Sequence, residues 1–183
     1  MRNEKEEILE FWFHESTPTQ WFQVNPEYDE TIRKNFLKAW DKAKAGFYKD
    51  YEDDPDGALA LIILLDQFPR NMFRDDPRCY ETDAQALEVA EEAIKNGFDQ
   101  MHPVLRRRFF YLPYEHSENM EHQNRAVELF EEIKEDDPIG YEYAIRHRKV
   151  IEKFGRFPHR NALLGRASTT DEIEFLKLTP QGF

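Results

Sequence analysis

Apolar residues recur along the chain at intervals of three and four, the spacing that places side chains on one face of an α-helix. Ile8, Phe11 and Trp12 show this spacing near the start, and the run from Ala58 to Leu65 is apolar throughout. No segment alternates apolar and polar residues for long enough to indicate a strand. The pattern therefore predicts an all-α protein with the helix that contains residues 58–65 at its centre.

Four of the expected helices begin with the same capping device, an Asn or Asp followed by proline. A short carboxylate or amide accepts hydrogen bonds from the first N–H groups of a helix, and proline tolerates the first position because it has no N–H. The device occurs at Asn25-Pro26, Asp54-Pro55, Asp76-Pro77 and Asp137-Pro138. Further caps are expected at Thr82, Ser117 and Thr169, and Pro69 and Pro113 are expected to end helices. Helices joined by short loops, without heptads, predict a single layered or superhelical α-α domain over residues 1–183.

Charge is distributed unevenly along this acidic chain, which has 183 residues and a net charge of −12. Residues 146–166 carry seven basic side chains and one acidic side chain, so this basic segment is +6 and the remainder is −18. A segment of this kind faces either the protein's own carboxylates or an anionic ligand, and the sequence leaves both open. The net charge argues against general nucleic-acid binding.

The remaining composition excludes several classes of protein. One cysteine, Cys79, allows neither an intrachain disulfide nor a thiolate zinc site. The charged residues 1–7 lack an apolar signal core, and the longest apolar run is far shorter than the ~20 residues that span a bilayer. We therefore expect a cytoplasmic protein without a membrane segment.

A short motif occurs twice, each time where a helix is expected to end. Phe68-Pro69-Arg70-Asn71 follows the central apolar helix, and Phe157-Pro158-His159-Arg160-Asn161 follows the basic helix. One interpretation is local, because proline stops a helix while Arg and Asn cap its carbonyls. The other is that two corners present Arg70, Asn71, Arg160 and Asn161 to one cavity.

Three polar clusters contain the candidate chemistry, centred on Asp66, on Glu115 and on His159. Glu118 and His122 are four residues apart and would share a helix face, but no established metal-binding spacing is present, so no metal or cofactor is predicted. Nucleophile elbows and glycine-rich phosphate loops are also missing from the sequence. Carboxylates, imidazoles and guanidinium groups remain, and these suffice for acid–base chemistry on an anionic substrate.

The residues assigned to the expected site fall into two roles. The candidate catalytic residues are Glu115, His116, His147 and His159. The candidate ligand-binding residues are Asp66, Gln67, Arg70, Asn71, Arg156, Arg160 and Asn161.

The same clusters resemble the signature blocks of a bacterial family catalogued as domain of unknown function, family 924. The blocks run from Leu64 to Arg74, from Tyr111 to Glu118 and from Phe154 to Arg166, and the segments Phe11-Trp12-Phe13 and Glu174-Phe175-Leu176 match as well. The resemblance covers nearly the whole chain. It implies an all-α fold like that of tetratricopeptide repeats (TPR-like), and it brings no activity and no catalytic residues.

Three hypotheses follow for the function. The first is a polar pocket rich in Arg and His that binds a small anionic molecule. If it is an enzyme, the expected reaction is hydrolysis or phosphoryl-type chemistry with Glu115 or His116 as base. The second is a TPR-like scaffold that binds a protein segment against an exposed aromatic strip of Trp21, Phe22 and Tyr28. The third is purely structural, with the polar clusters serving as helix caps and buried ion pairs.

Overall fold

The computed structural model describes residues 3–179, and these residues are predominantly helical with no strand among them. The prediction of an all-α fold is confirmed. A TPR-like superhelical arrangement of the helices stays a prediction. No helix within the described residues is both long enough and apolar enough to cross a membrane.

Contacts divide the chain into two compact units, one up to Pro113 and the other from Tyr114 onward. This division does not test the expectation of one domain over residues 1–183, which stays a prediction.

The first unit consists of short and medium helices. Its α-helices are α1 (Glu4–Glu10), α2 (Pro18–Phe22), α3 (Pro26–Lys44), α4 (Pro55–Ile62), α5 (Phe68–Met72), α6 (Asp83–Lys95) and α7 (Val104–Glu115), whose last two residues belong to the second unit. Two π-helical turns, Phe11–Glu15 and Ile63–Gln67, follow α1 and α4, and 3₁₀-helices lie at Lys49–Asp53, Pro77–Tyr80 and Asp99–Met101.

The core of the first unit forms around α4, as the apolar run predicted. Every residue from Ala58 to Leu65 is at most 4% exposed. Aromatic rings complete this core, and Trp12 packs edge-on against both Phe68 and Phe109. Full burial of a large apolar side chain contributes about 1.5–3 kcal/mol to folding, so this aromatic packing is a major source of stability.

Proline and threonine positions show where local sequence rules were insufficient. Pro69 does not end the central helix, because a π-helical turn connects α4 to α5 and Pro69 occupies the first turn of α5. Pro113 lies inside α7, which continues to Glu115. Thr82 occupies the N-cap position of α6, where the sequence placed it, but it makes no side-chain capping bond, since its hydroxyl donates to the carbonyl of Leu65. The two predicted helix ends and the side-chain cap of Thr82 were wrong.

After the end of α7, the described part of the second unit, up to residue 179, has three α-helices and one 3₁₀-helix. They are α8 (Met120–Glu132), α9 (Pro138–Phe154), the 3₁₀-helix Pro158–Arg160 and α10 (Thr170–Leu178). α8 and α9 pack closely at Gly140, where a Cβ atom would lie 2.8 Å from the ring of Phe130. Gly155 ends α9 in the left-handed conformation with φ of 69°, which directs the chain into the loop that carries His159 and Arg160.

The predicted Asx-Pro caps are confirmed in both units. The side chains of Asn25, Asp54 and Asp137 accept hydrogen bonds from N–H groups in the first turns of α3, α4 and α9. Asp76 does the same for the 3₁₀-helix Pro77–Tyr80. Thr169 and Glu172 form the expected capping box at the start of α10.

Candidate functional site

The sequence-predicted site residues are divided between the two units. Asp66, Gln67, Arg70 and Asn71 belong to the first unit, whereas Glu115, His116, His147, Arg156, His159, Arg160 and Asn161 belong to the second.

In the first unit, Arg70 lies between two carboxylates. Its Nη1 is 3.1 Å from Asp66 Oδ1 and 2.9 Å from Asp83 Oδ1, and Asp66 is fully buried. Burial disfavours the guanidinium charge, but the attraction of Asp66 and Asp83 outweighs it and raises the pKa of Arg70. These three groups sum to −1, so this corner does not attract an anion by charge.

The neighbouring amides extend the same network. Gln67 donates its side-chain N–H to the carboxylate of Asp66. Asn71 donates to Asp29 Oδ1 at 2.8 Å, and Arg74 also pairs with Asp29. The structure thus gives all four predicted residues of this corner partners within the chain, although Asn71 bonds a carboxylate and Pro69 does not end the helix, unlike in the local interpretation of the repeated motif. A ligand-binding role for these residues stays a prediction.

In the second unit, a buried glutamine holds the chain segment that follows α7. Gln123, on α8, donates from Nε2 to the carbonyl oxygens of Glu115 and Ser117, each at 2.6 Å. Glu115 is 3% exposed, and His116 and Ser117 are half-buried. The side-chain amide of Gln123 therefore holds the end of α7, where the candidate catalytic residues Glu115 and His116 are adjacent.

Glu115 contacts His147, which comes from the middle of α9. His147 Nδ1 lies 3.2 Å from Glu115 Oε1 and 2.9 Å from the carbonyl oxygen of Tyr143. Two acceptors at Nδ1 place the proton of the neutral ring there, and the lone pair is therefore on Nε2.

The environment of His147 favours this neutral form. Burial lowers the pKa of His147 well below 6.5, and the positive charges of His116, Arg160 and His159 lower it further, although the carbonyl of Tyr143 acts in the opposite direction. At neutral pH His147 is therefore uncharged, with a lone pair on Nε2 that can accept a proton.

The side chains of His147, His159 and Arg160 all pack near the ring of Phe157. Ring centroids lie 5.6 Å from Phe157 to His147 and 5.7 Å from Phe157 to His159, and the guanidinium carbon of Arg160 lies 4.6 Å from the Phe157 centroid. Arg160 Nη2 also donates to the carbonyl of His116 at 2.9 Å.

Five of the predicted residues are thus brought together in the second unit. We call them the histidine cluster: Glu115, His116, His147, His159 and Arg160.

The other two predicted residues of this unit have structural partners. Arg156 forms a two-pronged ion pair with the buried Glu172, with distances of 2.6 and 2.8 Å. Asn161 donates to Ser168 and accepts from Arg166. Arg156 and Asn161 as ligand-binding residues stay predictions, but their donors are engaged within the chain.

Two expectations near α8 were wrong. Ser117 does not cap α8, because Asn119 is the N-cap and accepts from the N–H of Glu121. The Ser117 hydroxyl lies instead 2.9 Å from His122 Nδ1. Glu118 does not share a helix face with His122, since it precedes the helix and pairs with Arg166.

Neither a metal centre nor a cavity coincides with the histidine cluster in the described residues. Across residues 3–179, no group of three or more His, Cys, Asp or Glu side chains is arranged to hold a metal ion. A cavity of about 390 Å³ in the second unit is lined by Lys153, Phe154, Arg156, Thr169, Asp171 and Glu172. A cavity of about 460 Å³ in the first unit lies among α3, α4 and α6. Neither cavity is lined by the histidine cluster.

The aromatic strip expected of a scaffold is largely buried. Trp21 stacks on Trp12 with its indole N–H bonded to the Trp12 carbonyl, and it is 5% exposed. Tyr28 is also buried, with its hydroxyl donating to Ser16. Only Phe22, at 55% exposure, presents its ring to solvent. Trp21 and Tyr28 as residues of an exposed strip were wrong predictions, because both belong to the core, whereas Phe22 is exposed.

Comparison with known proteins supports the resemblance seen in the sequence. The model of a family described as bacterial protein of unknown function (DUF924) matches residues 8–179. A solved structure of a protein of unknown function, ATU0120 from Agrobacterium tumefaciens, is similar, with a TM-score of 0.91 and 36% sequence identity over 95% of this chain and 97% of that one. A comparison with curated proteins found no match. The chain therefore belongs to the DUF924 family of bacterial proteins of unknown function.

Proposed function

We propose that the second unit binds a small anionic molecule at the histidine cluster and hydrolyses it, with His147 as general base. The observation that carries this proposal is the buried contact of 3.2 Å between Glu115 Oε1 and His147 Nδ1 beside Arg160. A carboxylate that orients an imidazole through one ring nitrogen fixes the neutral tautomer with its lone pair on the other nitrogen, which is the form that a general base requires.

Anion binding is supported by the donors gathered around Phe157. Arg160 is only 7% exposed, and a guanidinium in such surroundings interacts more strongly with an anion than it would in water. The imidazoles of His116 and His159 supply further N–H donors. Arg160 and, when protonated, His116 and His159 lower the pKa of His147, as closely placed positive charges do, and a bound anion would offset that positive charge.

The chemical roles follow from these positions. His147 accepts the proton of an attacking water through Nε2 while the water oxygen bonds to the acyl carbon or phosphorus of the ester, and Glu115 keeps the ring oriented through Nδ1. The bond to the leaving oxygen then breaks, and protonated His147 returns the proton to the leaving group. Arg160 holds the anionic group and neutralises the charge that develops on the substrate. A positioned general base contributes about 10²–10⁴-fold to a rate, which is the size of effect to expect from His147.

A thermal-shift titration with inorganic phosphate, nucleotides and small carboxylates tests the binding. A ligand at about a hundred times its Kd adds roughly 2.7 kcal/mol and raises the Tm of a chain of this size by roughly 5–10 °C. Arg160→Gln is expected to abolish the shift. Arg156→Gln is the matched control and is expected to keep it, since Arg156 pairs with Glu172. A shift that survives Arg160→Gln and disappears in Arg156→Gln contradicts the proposal.

Hydrolysis is tested separately with a panel of phosphate and carboxylate esters. His147→Gln is expected to lower kcat about a hundredfold while binding of the anion persists. An activity that is equal in His147→Gln and the parent protein would assign the chemistry elsewhere.

A second candidate function is a TPR-like scaffold for a protein segment. Exposure of Phe22 at 55% and of Val24 at 64%, with Arg108 5.2 Å from the Phe22 ring, supports it. Phe22→Ser would then abolish co-purification of the partner from cells without lowering the Tm. A cytoplasmic location fits both proposed functions. The single cysteine, Cys79, is buried, and one cysteine cannot form the intrachain disulfide that is typical of proteins in oxidising compartments.

A further inference from the structure

The peptide groups on both sides of Phe157 are held by one ion pair. The N–H of Phe157 donates to Glu118 Oε1 at 2.7 Å, and the carbonyl of Phe157 accepts from Arg166 Nη2 at 3.1 Å. Glu118 and Arg166 are joined to each other by two hydrogen bonds of 2.7 and 3.0 Å. Carboxylate, guanidinium and backbone thus form a closed ring of contacts around a single residue.

Phe157 is also the residue whose ring contacts three members of the histidine cluster. The ring has no solvent exposure and packs in a small core with Val150 and Ile151. His147, His159 and Arg160 all lie against it. A displacement of the Phe157 backbone would therefore move the surface on which these side chains rest.

From this arrangement we propose that Glu118 and Arg166 are positioning residues for the anion site, acting through the backbone of Phe157. The inference deepens the proposed function and rests on it for the ligand, but the placement of the histidines can be measured without any ligand. Neither residue is assigned contact with the substrate.

The physical properties of the pair suit a positioning role. Two parallel hydrogen bonds between a guanidinium and a carboxylate fix both distance and plane, which a single contact does not. The pair has no net charge, so it holds the loop without adding net charge to the site. Burial acts against the charge of Glu118, but Arg166 and the Phe157 N–H outweigh it and lower the pKa of Glu118. The carboxylate is therefore ionised at neutral pH.

A second ion pair of the same unit offers a matched control. Glu172 also binds an arginine, Arg156, through two oxygens, and it also accepts a backbone N–H, that of Thr169 at 2.6 Å. This pair does not contact the Phe157 backbone among the hydrogen bonds described. Glu118→Ala and Glu172→Ala therefore remove the same kinds of contact, and only the first removes support from Phe157.

The first readout is the NMR signal of the imidazole rings of His147 and His159. The Phe157 ring shifts these signals through its ring current, so they report its position directly. We expect Glu118→Ala and Arg166→Ala to move both signals and Glu172→Ala to leave them near the wild-type values. Glu118→Gln retains an oxygen acceptor for the Phe157 N–H and is expected to give a smaller change. Unchanged histidine signals in folded Glu118→Gln and Arg166→Ala overturn the inference.

The second readout is the Kd for inorganic phosphate by calorimetry. We expect Glu118→Ala to weaken binding roughly tenfold or more, since a misplacement of about 1 Å can cost about a hundredfold at a preorganised site. Glu172→Ala is expected to change it much less. If wild-type protein binds no anion but the histidine signals move as expected, the proposed function fails while the positioning role stands. Equal losses of affinity in Glu118→Ala and Glu172→Ala, with equal signal changes, overturn the positioning role.

Discussion

His147 is the residue whose surroundings differ most from those of a histidine in water. Its side chain is 13% exposed, it faces the carboxylate of Glu115 and the carbonyl of Tyr143, and it lies near the positive charges of His116, His159 and Arg160. Burial and these charges together keep it neutral. A buried neutral histidine makes the stability of the fold depend on pH in a specific direction.

We predict that the free energy of unfolding falls as the pH drops below about 6.5, the ordinary histidine pKa. The folded protein has the lower pKa, so the unfolded chain takes up the proton first, and acid favours unfolding at up to about 1.4 kcal/mol per pH unit. Stability from this residue is complete above pH 6.5 and is lost toward the lowered pKa. Urea unfolding between pH 5 and 7.5 measures the slope. His147→Gln should flatten it, whereas His14→Gln, at an exposed position, should not.

Arg70 provides a second prediction at the residue scale. Removing the Arg70 side chain leaves the carboxylate of Asp66, which is completely buried, without its nearest cation. Breaking a buried pair in this way costs about 3–5 kcal/mol, so Arg70→Ala should destabilise the protein by that amount in chemical denaturation. Arg78→Ala removes the exposed pair with Asp76 and should change little. Similar effects of the two substitutions would show that the Asp66 network is not structural.

Residue types revealed the candidate site, but their partners were not predictable. The count of charges singled out residues 146–166. This segment includes His147 and Arg160 of the histidine cluster. It also includes Arg156 and Arg166, which pair with Glu172 and Glu118. A sequence shows how many charges a segment has, but the choice between a ligand and an internal carboxylate depends on distances that arise only on folding.

At the scale of elements, helix starts were more predictable than helix ends. The Asx-Pro starts depend on hydrogen bonds within three residues, so local sequence determines them. The ends at Pro69 and Pro113 were wrong because Pro69 lies in the first turn of α5, where its missing N–H costs little, and α7 continues past Pro113 to Glu115. The cap at Ser117 was wrong for a local reason, since Asn119 two residues later competes for the same helix and is among the strongest N-cap residues.

The cap of α8 gives a prediction at this scale. Asn119→Ala should cost about 1 kcal/mol of stability, because the N–H of Glu121 loses its acceptor. Ser117→Ala should cost less, since its hydroxyl does not cap α8 and only accepts from Asn119 N–H and contacts His122. Thermal unfolding of the two variants side by side measures the difference. A larger loss in Ser117→Ala would return the capping role to the serine.

At the scale of the whole molecule, the net charge of −12 is the dominant electrostatic feature. Exposed ion pairs contribute little to stability, whereas repulsion among the surplus carboxylates opposes the compact state. We therefore predict that raising sodium chloride from about 10 mM to about 0.2 M increases the Tm, since the Debye length falls to below 10 Å. Calorimetry measures this effect. A Tm that falls with salt would mean that the internal ion pairs outweigh the surplus charge.

The positions of the tryptophans give the molecule a built-in optical reporter. All three tryptophans, Trp12, Trp21 and Trp40, are buried in the first unit. The sequence of the second unit contains tyrosines but no tryptophan. Indole emission during denaturation therefore follows the first unit alone, whereas far-ultraviolet circular dichroism follows the helices of both. A single cooperative domain requires the two curves to superimpose, and two separated midpoints would show that the halves of the chain unfold as independent thermodynamic units.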